Sequence, residues 1–249
     1  MTSTMPTEQA PGFLRRRVGD MVVTAVNDGM AVSNFDSVRG IEAADAETVL
    51  RAAFRGAAPT FTFNTYLVQD GTRTVLIDTG GGGLMGPVAG RLLGNLAAAG
   101  VAPGDINAIL LTHLHVDHVG GLADASGAAV GGRVTRFTGG EPVPGIAAES
   151  LPGHTPGHTG YRIAGDEGGL LIWGDIVHRP DVQSRFPGVT MAFDVDPAQA
   201  EATRRLVLAR AARERLLVAG MHMHFPGFAH VEVVGEGYRL APAQWTPGL

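Results

Sequence analysis

Three histidines and one aspartate fall within six positions of the stretch "LTHLHVDHVGG", which covers residues 111–121. In an extended chain, residues i and i+2 point to the same side, so His113 and His115 can contact one ion together. The two glycines that end the stretch permit a turn and a close approach of the backbone. Such a turn can direct Asp117 and His118 toward a second ion.

A pair of ions held roughly 3.5–4 Å apart requires a shared anionic ligand. Asp175, which ends the apolar run "LLIWGD", is the candidate for that ligand. The chain has no cysteine and no lysine, which excludes thiolate ligands and nucleophiles, disulfides and Schiff-base chemistry. Imidazole and carboxylate ligands without sulfur suit zinc, with manganese, iron and cobalt as alternatives. We therefore expect two divalent metal ions, with Zn²⁺ as the first choice.

All nine histidines lie between residues 113 and 230, and several of them follow apolar runs that are typical of strands. The run "INAILLT" (106–112) precedes the first cluster, and "LLVAG" precedes His222. His154 lies in the turn-rich "LPGHTPGHT". Because loops at strand ends can converge on one edge of a scaffold, these separate segments can build a single site.

The remaining segments follow the order strands, helix, strands, twice over. An Asp-Gly pair between two β-rich runs predicts a hairpin in "TFTFNTYLVQDGTRTVLIDTG". Helical patterns cover 43–54 and 87–100. The longest helix is predicted to begin at Asp196, an N-cap residue that is followed by Pro197 at the first helical position. This order predicts two sheets with helices outside them.

Composition bounds the architecture and the partners. The 249 residues are 45% hydrophobic and 17% charged, which suits one domain with a sizeable core. We expect residues 1–17 to be a flexible tail and residues 18–249 to form a single domain, since the basic residues of the tail precede no signal-like apolar segment. A net charge of −5 argues against a nucleic-acid partner. No apolar run reaches the length of a membrane span, so a cytoplasmic protein is expected.

The cluster at 113–118 resembles the His-x-His-x-Asp-His signature of the metallo-β-lactamase superfamily. Other motifs come in the superfamily's order: "NTYLVQDGTRTVLIDTG" before the cluster, and "PGHTPGHTGY", "GDIVH" and "HFPG" after it. The resemblance covers nearly the whole chain from "VVTAVNDG" onward. Its later motifs are similar to those of the methyl parathion hydrolase and N-acyl homoserine lactonase branch. The resemblance implies an α+β fold, the four-layer αββα sandwich.

The resemblance also implies seven metal ligands. Asp175 would bridge two metals, and the other six ligands would divide into two groups of three: His113, His115 and His154 for one metal, and Asp117, His118 and His222 for the other. Asp117 and Asp175 would accept or pass on the proton released during hydrolysis. His178 stands three positions after Asp175, where the lactonase branch carries a tyrosine that contacts the substrate carbonyl. It would polarise an oxygen or donate a proton.

Two departures from the branch's pattern leave questions open. In its His-x-Pro-Phe-Pro-Gly motif the ligand stands five residues before the last glycine, which favours His222, but His224 replaces the first proline and is the alternative. Only 35 residues separate His118 from His154, where relatives usually carry a longer insert. The short segment 119–153 would leave a more open pocket. Phe186, Phe193 and Phe225 are candidates to line it, and Asp78 is expected to brace the His113 loop through backbone N–H groups.

The resulting hypothesis is a dinuclear metal-dependent hydrolase that uses a bridging hydroxide on small esters, namely lactones, carboxylic esters or organophosphate triesters. The alternatives are a thioesterase of the glyoxalase II type and a persulfide dioxygenase with a single iron. From another class, the chain could be a non-catalytic binding protein that a metal stabilises. The expected partner is a small ester, without nucleic acid or membrane, and a homodimer stays open.

Overall fold

The computed structural model describes residue 5, residues 9–123 and residues 134–249. Its strands are, in chain order, β1 (Phe13–Val18), β2 (Met21–Val32), β3 (Val38–Arg39), β4 (Thr60–Gln69), β5 (Thr74–Ile77), β6 (Ala108–Leu110), β7 (Gly140–Val143), β8 (Ile146–Ser150), β9 (Thr159–Ile163), β10 (Leu170–Ile172), β11 (Thr190–Met191), β12 (Leu217–Ala219), β13 (Phe228–Val234) and β14 (Gly237–Pro242). Its α-helices are α1 (Ala43–Ala52), α2 (Leu92–Ala98), α3 (Val116–Val119), α4 (Pro180–Arg185) and α5 (Pro197–Glu214). Short 3₁₀ helices lie at Gly82–Val88, Pro103–Asp105, Gly120–Leu122 and Asp166–Gly168.

Two sheets form the centre of the described structure. The first has the strand order β1-β2-β4-β5-β6, and the second has the order β14-β13-β12-β10-β9-β8-β7. Side chains alternate between the two faces of a strand, so Val75 and Ile77 of the first sheet point into the main core, as do Leu170 and Ile172 of the second. This shared core shows that the two sheets pack face to face.

Helices cover the outer face of each sheet. Leu76 points away from the main core and packs with Leu92 and Leu96 of α2. Leu171 of the second sheet likewise packs with Val207 and Leu208 of α5. Burial on both faces explains why the central strands read as continuous apolar runs rather than as an alternating pattern. The predicted αββα sandwich is confirmed, and its layers are α2, the first sheet, the second sheet and α5.

The strand directions bring distant loops to one edge. β5 pairs with β6 in parallel, and β10 pairs with β12 in parallel. β8 runs antiparallel to β9, and β9 runs antiparallel to β10, so β8 has the same direction as β10. The carboxyl ends of these strands therefore meet at one edge, and the loops that follow them carry the residues predicted to bind metal.

The structure corrects the predicted N-terminal boundary. Residues 13–17 belong to β1 rather than to a flexible tail, because Phe13 pairs with Val26 and Val18 pairs with Met21 in an antiparallel hairpin. Leu14 packs against the main core, which stabilises this edge strand. Because residues 15–17 are all arginine, the sequence did not indicate this strand, although one of its faces packs against the core.

The helix boundaries also differ from their predictions by a few residues. α2 begins at Leu92 rather than at 87, because Pro87 lies in the preceding 3₁₀ segment. The longest helix, α5, begins at Pro197 as predicted, and the Asp196 carboxylate accepts a hydrogen bond from the Gln199 N–H at 3.0 Å. In the described ranges, no helix combines the length and the hydropathy needed to cross a bilayer.

Candidate metal centre

Three histidines from two loops point ring nitrogens at one another. His113 Nε2 lies 3.0 Å from His115 Nδ1, and His154 Nε2 lies 3.2 Å from the first and 3.0 Å from the second of these atoms. His113 and His115 follow β6, and His154 follows β8. Three imidazole nitrogens at such distances form a ligand group that could hold a metal ion.

A second group contains two carboxylates and two histidines. Asp117 Oδ2 lies 3.5 Å from His118 Nε2 and 3.4 Å from His222 Nε2. The Oδ2 atom of Asp175 lies 3.2 and 3.1 Å from the same two nitrogens. These four residues form another group with the spacing of metal ligands. The structure thus brings together all seven residues that the sequence predicts as metal ligands, from segments that span 113–222.

Asp175 lies between the two groups and is fully buried. Its Oδ2 atom is within 3.7 Å of one ring nitrogen from each of five histidines: His113, His118, His154, His178 and His222. Its Oδ1 atom is buried without a hydrogen-bond partner among the described residues. An orphaned carboxylate oxygen within a ring of imidazoles costs free energy unless a cation compensates it. The residues therefore fit the divalent metals that the sequence implies.

The second nitrogen of each ring supports the same conclusion. His118 Nδ1 donates to Asp78 Oδ2 at 2.7 Å, His154 Nδ1 donates to Asp194 Oδ1 at 2.9 Å, and His222 Nδ1 donates to the Thr62 carbonyl at 2.9 Å. Donation from Nδ1 leaves Nε2 of each ring with its lone pair, which a metal ligand requires. All three of these Nε2 atoms point into the cluster.

Asp78 does more than the sequence predicted. It accepts from the Thr112 N–H at 2.8 Å, as expected for a residue that braces the histidine loop. It also accepts from the Thr112 hydroxyl and from His118 Nδ1, both at 2.7 Å. Asp194, the partner of His154, was not predicted from the sequence. It lies 40 positions after its partner His154 and belongs to none of the motifs that the sequence offers, so no local signal marks it.

Burial and the neighbouring carboxylates shift the histidine pKa values of the two ligand groups in opposite directions. Burial lowers the pKa of His113, so this ring stays neutral. Burial also opposes protonation of His118, but the carboxylates of Asp175 and Asp78 hold its pKa well above the usual range. The pKa of His222 rises to about 9, because Asp175 and Asp117 outweigh the effect of burial. The field around the second group therefore favours positive charge, as a bound cation would require.

His178 lies beside Asp175 within the cluster. Its Nε2 atom is 3.2 Å from Asp175 Oδ2, without the geometry of a hydrogen bond, and both of its ring nitrogens lack partners among the described residues. Burial lowers the pKa of His178 to about 3, so the ring is neutral at ordinary pH. With His154 and Asp175 it forms a third group that has metal-ligand spacing.

The other histidines lie outside the two ligand groups. His224 Nε2 is 2.7 Å from Asp181 Oδ2, on the wall of a neighbouring cavity. His158 Nδ1 donates to the Leu151 carbonyl at 2.8 Å, and His158 Nε2 accepts from the Asp175 N–H at 2.9 Å. His230 is exposed on β13. Of the two candidates for the last ligand, the geometry places His222 in the cluster and His224 beside it.

The predicted pocket residues separate into different places. The Phe193 ring contacts the rings of His154 and His178, with centroids 5.8 and 5.1 Å apart. Phe225 lines the neighbouring cavity, whereas Phe186 lines a different cavity beside β14 and contributes nothing near the cluster. Residues 124–133, which belong to the short segment 119–153, lie outside the described residues. The openness of the pocket therefore stays a prediction.

An αββα sandwich that carries such His/Asp groups at one edge defines a class of metal-binding domain. The sequence matches the metallo-β-lactamase superfamily over residues 61–130, which include the first histidine cluster. The chain contains a metallo-β-lactamase superfamily domain.

Curated relatives support this assignment. The human protein "Metallo-beta-lactamase domain-containing protein 1" is 34% identical over 197 residues, which are 72% of this chain and 64% of the relative. The chain thus spans slightly less than two thirds of that protein. The "Atrochrysone carboxyl ACP thioesterase" of Passalora fulva is 35% identical over 111 residues, or 40% of this chain and 32% of the relative.

Solved structures give the same fold. The hydrolase AbOPH of the β-lactamase superfamily superposes with a TM-score of 0.89 at 25% identity, covering 96% of this chain and 100% of the other. AidC, a dizinc quorum-quenching lactonase in complex with N-hexanoyl-L-homoserine as product, superposes with a TM-score of 0.88 at 21% identity. The superposition on AidC covers 94% of this chain and 98% of AidC. The overall architecture is therefore that of the metallo-β-lactamase fold.

Proposed function

We propose that this protein is a metal-dependent hydrolase of small esters: lactones, carboxylic esters or organophosphate triesters. The observation that carries the proposal is the convergence of five imidazole nitrogens on one buried carboxylate oxygen, at 3.1–3.7 Å from Asp175 Oδ2. A site that only stabilises a fold is usually closed around one ion by four ligands. This cluster has more donors than one such ion needs.

The proposed site would hold two divalent ions, and zinc is the first choice. Asp175 would serve both ions, and the other ligands would form two groups: His113, His115 and His154, and Asp117, His118 and His222. When bound, such ions supply an activated nucleophile at neutral pH and a Lewis acid for the substrate oxygen. The name of AidC, a dizinc lactonase, supports this metal count.

The two carboxylates differ in what they can do beside the metals. Asp117 is the more accessible, with 18% of its side chain exposed against 2% for Asp175. Burial would raise the pKa of Asp117, but hydrogen bonds to His118 and His222 lower it overall. An ionised Asp117 can orient a proton by accepting a hydrogen bond from its carrier. It is a weak acceptor of the proton itself.

His178 has a narrower role than the sequence allowed. Because its pKa falls to about 3, it is neutral and cannot act as a cationic acid near neutral pH. A neutral imidazole still donates one N–H, which can stabilise negative charge on a substrate oxygen. The adjacent Phe193 ring, together with the exposed Leu114 and Val116, provides apolar surface for the rest of the substrate.

A substrate panel on metal-analysed protein tests the proposal. The panel contains an acyl homoserine lactone, an aryl ester, a phosphotriester, a thioester and a β-lactam. Hydrolysis of an oxygen ester that disappears with a chelator and returns with zinc or manganese is the expected result. Bound metal without turnover of any substrate would leave a non-catalytic binding protein, and one iron per chain would favour the persulfide dioxygenase.

Asp175→Asn is the sharpest variant for this test. The amide retains the shape of the side chain but cannot share a negative charge between two cations. We expect metal content to fall and turnover to drop by at least roughly a hundredfold. A variant with wild-type metal content and turnover would exclude the bridging role.

A thioesterase is the second candidate, and the relative named as an acyl-carrier-protein thioesterase favours it. The ligand groups would serve thioester and oxygen-ester hydrolysis alike, so the site geometry alone does not separate the two functions. Comparing the turnover of the thioester in the panel with that of the oxygen esters separates them. A kcat/KM for the thioester far above that for every oxygen ester would replace the first proposal with the second.

A further inference from the structure

A cavity of about 1340 Å³ adjoins the candidate metal centre. Its wall is formed by residues of segments 9–12 and 55–62, by α2, by residues 179–182, which directly follow His178, and by His224 and Phe225. Three guanidinium groups line it, those of Arg55, Arg91 and Arg179, against the single carboxylate of Asp181 among the described lining residues. We call it the arginine cavity.

Arg179 is the unusual member of this wall. It is only 3% exposed, yet the described residues place no carboxylate close enough to counter the effect of burial, which lowers its pKa to about 10. Asp181 does not serve this purpose, since it lies 2.7 Å from His224 Nε2 and 3.4 Å from Arg55 Nε. A buried guanidinium that remains charged at neutral pH therefore lacks a counter-ion among the described residues.

The guanidinium of Arg179 is held firmly in place. Nη1 donates to the Thr60 carbonyl at 3.2 Å, and Nη2 donates to Ser33 Oγ at 2.9 Å and to the Asn34 carbonyl at 3.2 Å. These partners are neutral, and Nε has no partner among the described residues. A fixed cation whose hydrogen-bond partners are all neutral is suited to an incoming anion, because the chain has already ordered the group.

The cation is close to the metal ligands. The central carbon of the guanidinium lies 3.6 Å from the centroid of the Phe61 ring. The same ring centroid is 5.2 Å from that of His222. Phe61 thus contacts both Arg179 and His222 of the second ligand group, so a small molecule that extends past this ring could have one end in the cavity and its ester at the cluster.

We propose that the arginine cavity binds a carboxylate or phosphate group of the substrate, with Arg179 as the principal cation. The inference rests on the proposed hydrolase function and deepens it, because it makes the substrate an anionic ester. Arg91, which is exposed and also lines the cavity, adds to the positive potential. The reacting ester remains at the metal cluster.

Two aryl esters test this proposal, neutral 4-nitrophenyl acetate and the anionic mono-4-nitrophenyl ester of glutaric acid. In Arg179→Met we expect the ratio of KM for the anionic ester to KM for the neutral ester to rise about tenfold or more, since a charge-assisted contact is lost. A purely structural role for Arg179 would change both KM values together and leave their ratio at the wild-type value.

Gly94→Leu provides a second variant that leaves Arg179 untouched. Gly94 lies in α2 on the cavity wall, and a Cβ there meets no atom within 4 Å, so a leucine should enter the cavity without distorting the helix. Gly104→Leu is the matched control, because Gly104 is equally open but does not line the cavity. The KM ratio should rise in Gly94→Leu and stay at the wild-type value in Gly104→Leu.

A wild-type KM ratio in either cavity variant, once circular dichroism and metal content show that it is folded, overturns the proposal. If the wild-type enzyme hydrolyses neither ester, the substrate panel alone decides the proposed function, and the cavity is judged by itself. Calorimetric titration of inorganic phosphate into the metal-loaded protein then decides. Binding that is about tenfold weaker in both cavity variants supports an anion site, and equal binding excludes it.

Discussion

At the residue scale, the hydrogen-bond partner of one ring nitrogen determines whether the other nitrogen of the same histidine is free to bind a metal. In His118, His154 and His222, Nδ1 donates to a carboxylate or carbonyl, and Nε2 is left to face the cluster. In His158 both nitrogens are already used, one by the Leu151 carbonyl and the other by the Asp175 N–H. Identical side chains thus acquire different chemistry from the partner of one nitrogen.

The pair His222 and His224 gives a direct test of this reasoning. We expect His222→Asn to lose metal from the group that contains Asp117 and His118, with turnover falling at least roughly a hundredfold. His224→Asn should keep the wild-type metal content, because its ring contacts Asp181 instead. Metal analysis of the two purified variants checks the prediction. The opposite order of metal loss would make His224 the ligand.

Asp194 is predicted to tune metal binding without touching the metal. Its Oδ1 atom holds His154, and its Oδ2 atom accepts from the Met191 N–H at 2.8 Å. We expect Asp194→Asn to weaken metal affinity about 10–100-fold, because the amide can present an N–H to the ring and upset its tautomer. Competition with a chromophoric chelator measures this change. Asp196→Asn, two residues along, is the control and should bind metal as the wild type does.

At the scale of elements, the strand ends position the site, and most of that arrangement could be predicted. Apolar runs that end at His113, Asp175 and His222 identify buried strands whose following loops share an edge. The choice between His222 and His224 could not be made from spacing alone, because it depends on the path of the loop after β12. Asp194 and the buried Arg204 could not be found either, since Asp194 meets His154 across 40 residues and Arg204 donates to carbonyls 15 to 28 residues away.

Arg204 joins α5 to the loop that carries the catalytic candidates. It is 1% exposed and donates to the carbonyls of Ile176, Pro187 and Val189 at 2.7–2.8 Å. Replacing it with leucine removes all three hydrogen bonds and leaves the carbonyls of Ile176 and Pro187 without this donor, whereas the Val189 carbonyl keeps the Gln183 side-chain amide at 3.0 Å. We therefore expect Arg204→Leu to lower the free energy of unfolding by about 3 kcal/mol.

Urea unfolding of the metal-loaded protein measures the effect of Arg204→Leu. Arg213→Leu is the control on the same helix, since that residue is exposed and pairs with its neighbour Glu214. It should change the free energy of unfolding by no more than about 0.5 kcal/mol. If both variants unfold at the same urea concentration, the three carbonyls do not depend on Arg204.

At the scale of the whole molecule, the cluster lies where both sheets end. The first sheet supplies His113, His115 and His118 after β6, whereas the second sheet supplies His154, Asp175 and His222 from the ends of three strands. Closing the cluster therefore requires that the two sheets be packed together. Stability of the sandwich and integrity of the site should consequently respond to the same change in conditions.

Lowering the pH is one such change, and the pKa of His158 determines the direction in which the free energy of unfolding responds. Burial lowers the pKa of His158 to about 4, against 6.5 for an exposed histidine. Below about pH 6.5 the unfolded chain binds this proton while the folded protein does not, so the free energy of unfolding should fall as the pH drops toward 4. The slope for this one group is about 1.4 kcal/mol per pH unit, and its full contribution is about 3 kcal/mol.

His158→Gln should remove this part of the pH dependence. Glutamine does not titrate, so the slope of unfolding free energy against pH between 6.5 and 4 should decrease by up to one proton relative to the wild type. The metal ligands are the same in both proteins, so at saturating zinc their own titration cancels in the comparison. His230→Gln, at an exposed position, should retain the wild-type slope. Equal slopes in all three proteins would mean that His158 is protonated in the folded state, and that its Nε2 atom does not accept the Asp175 N–H.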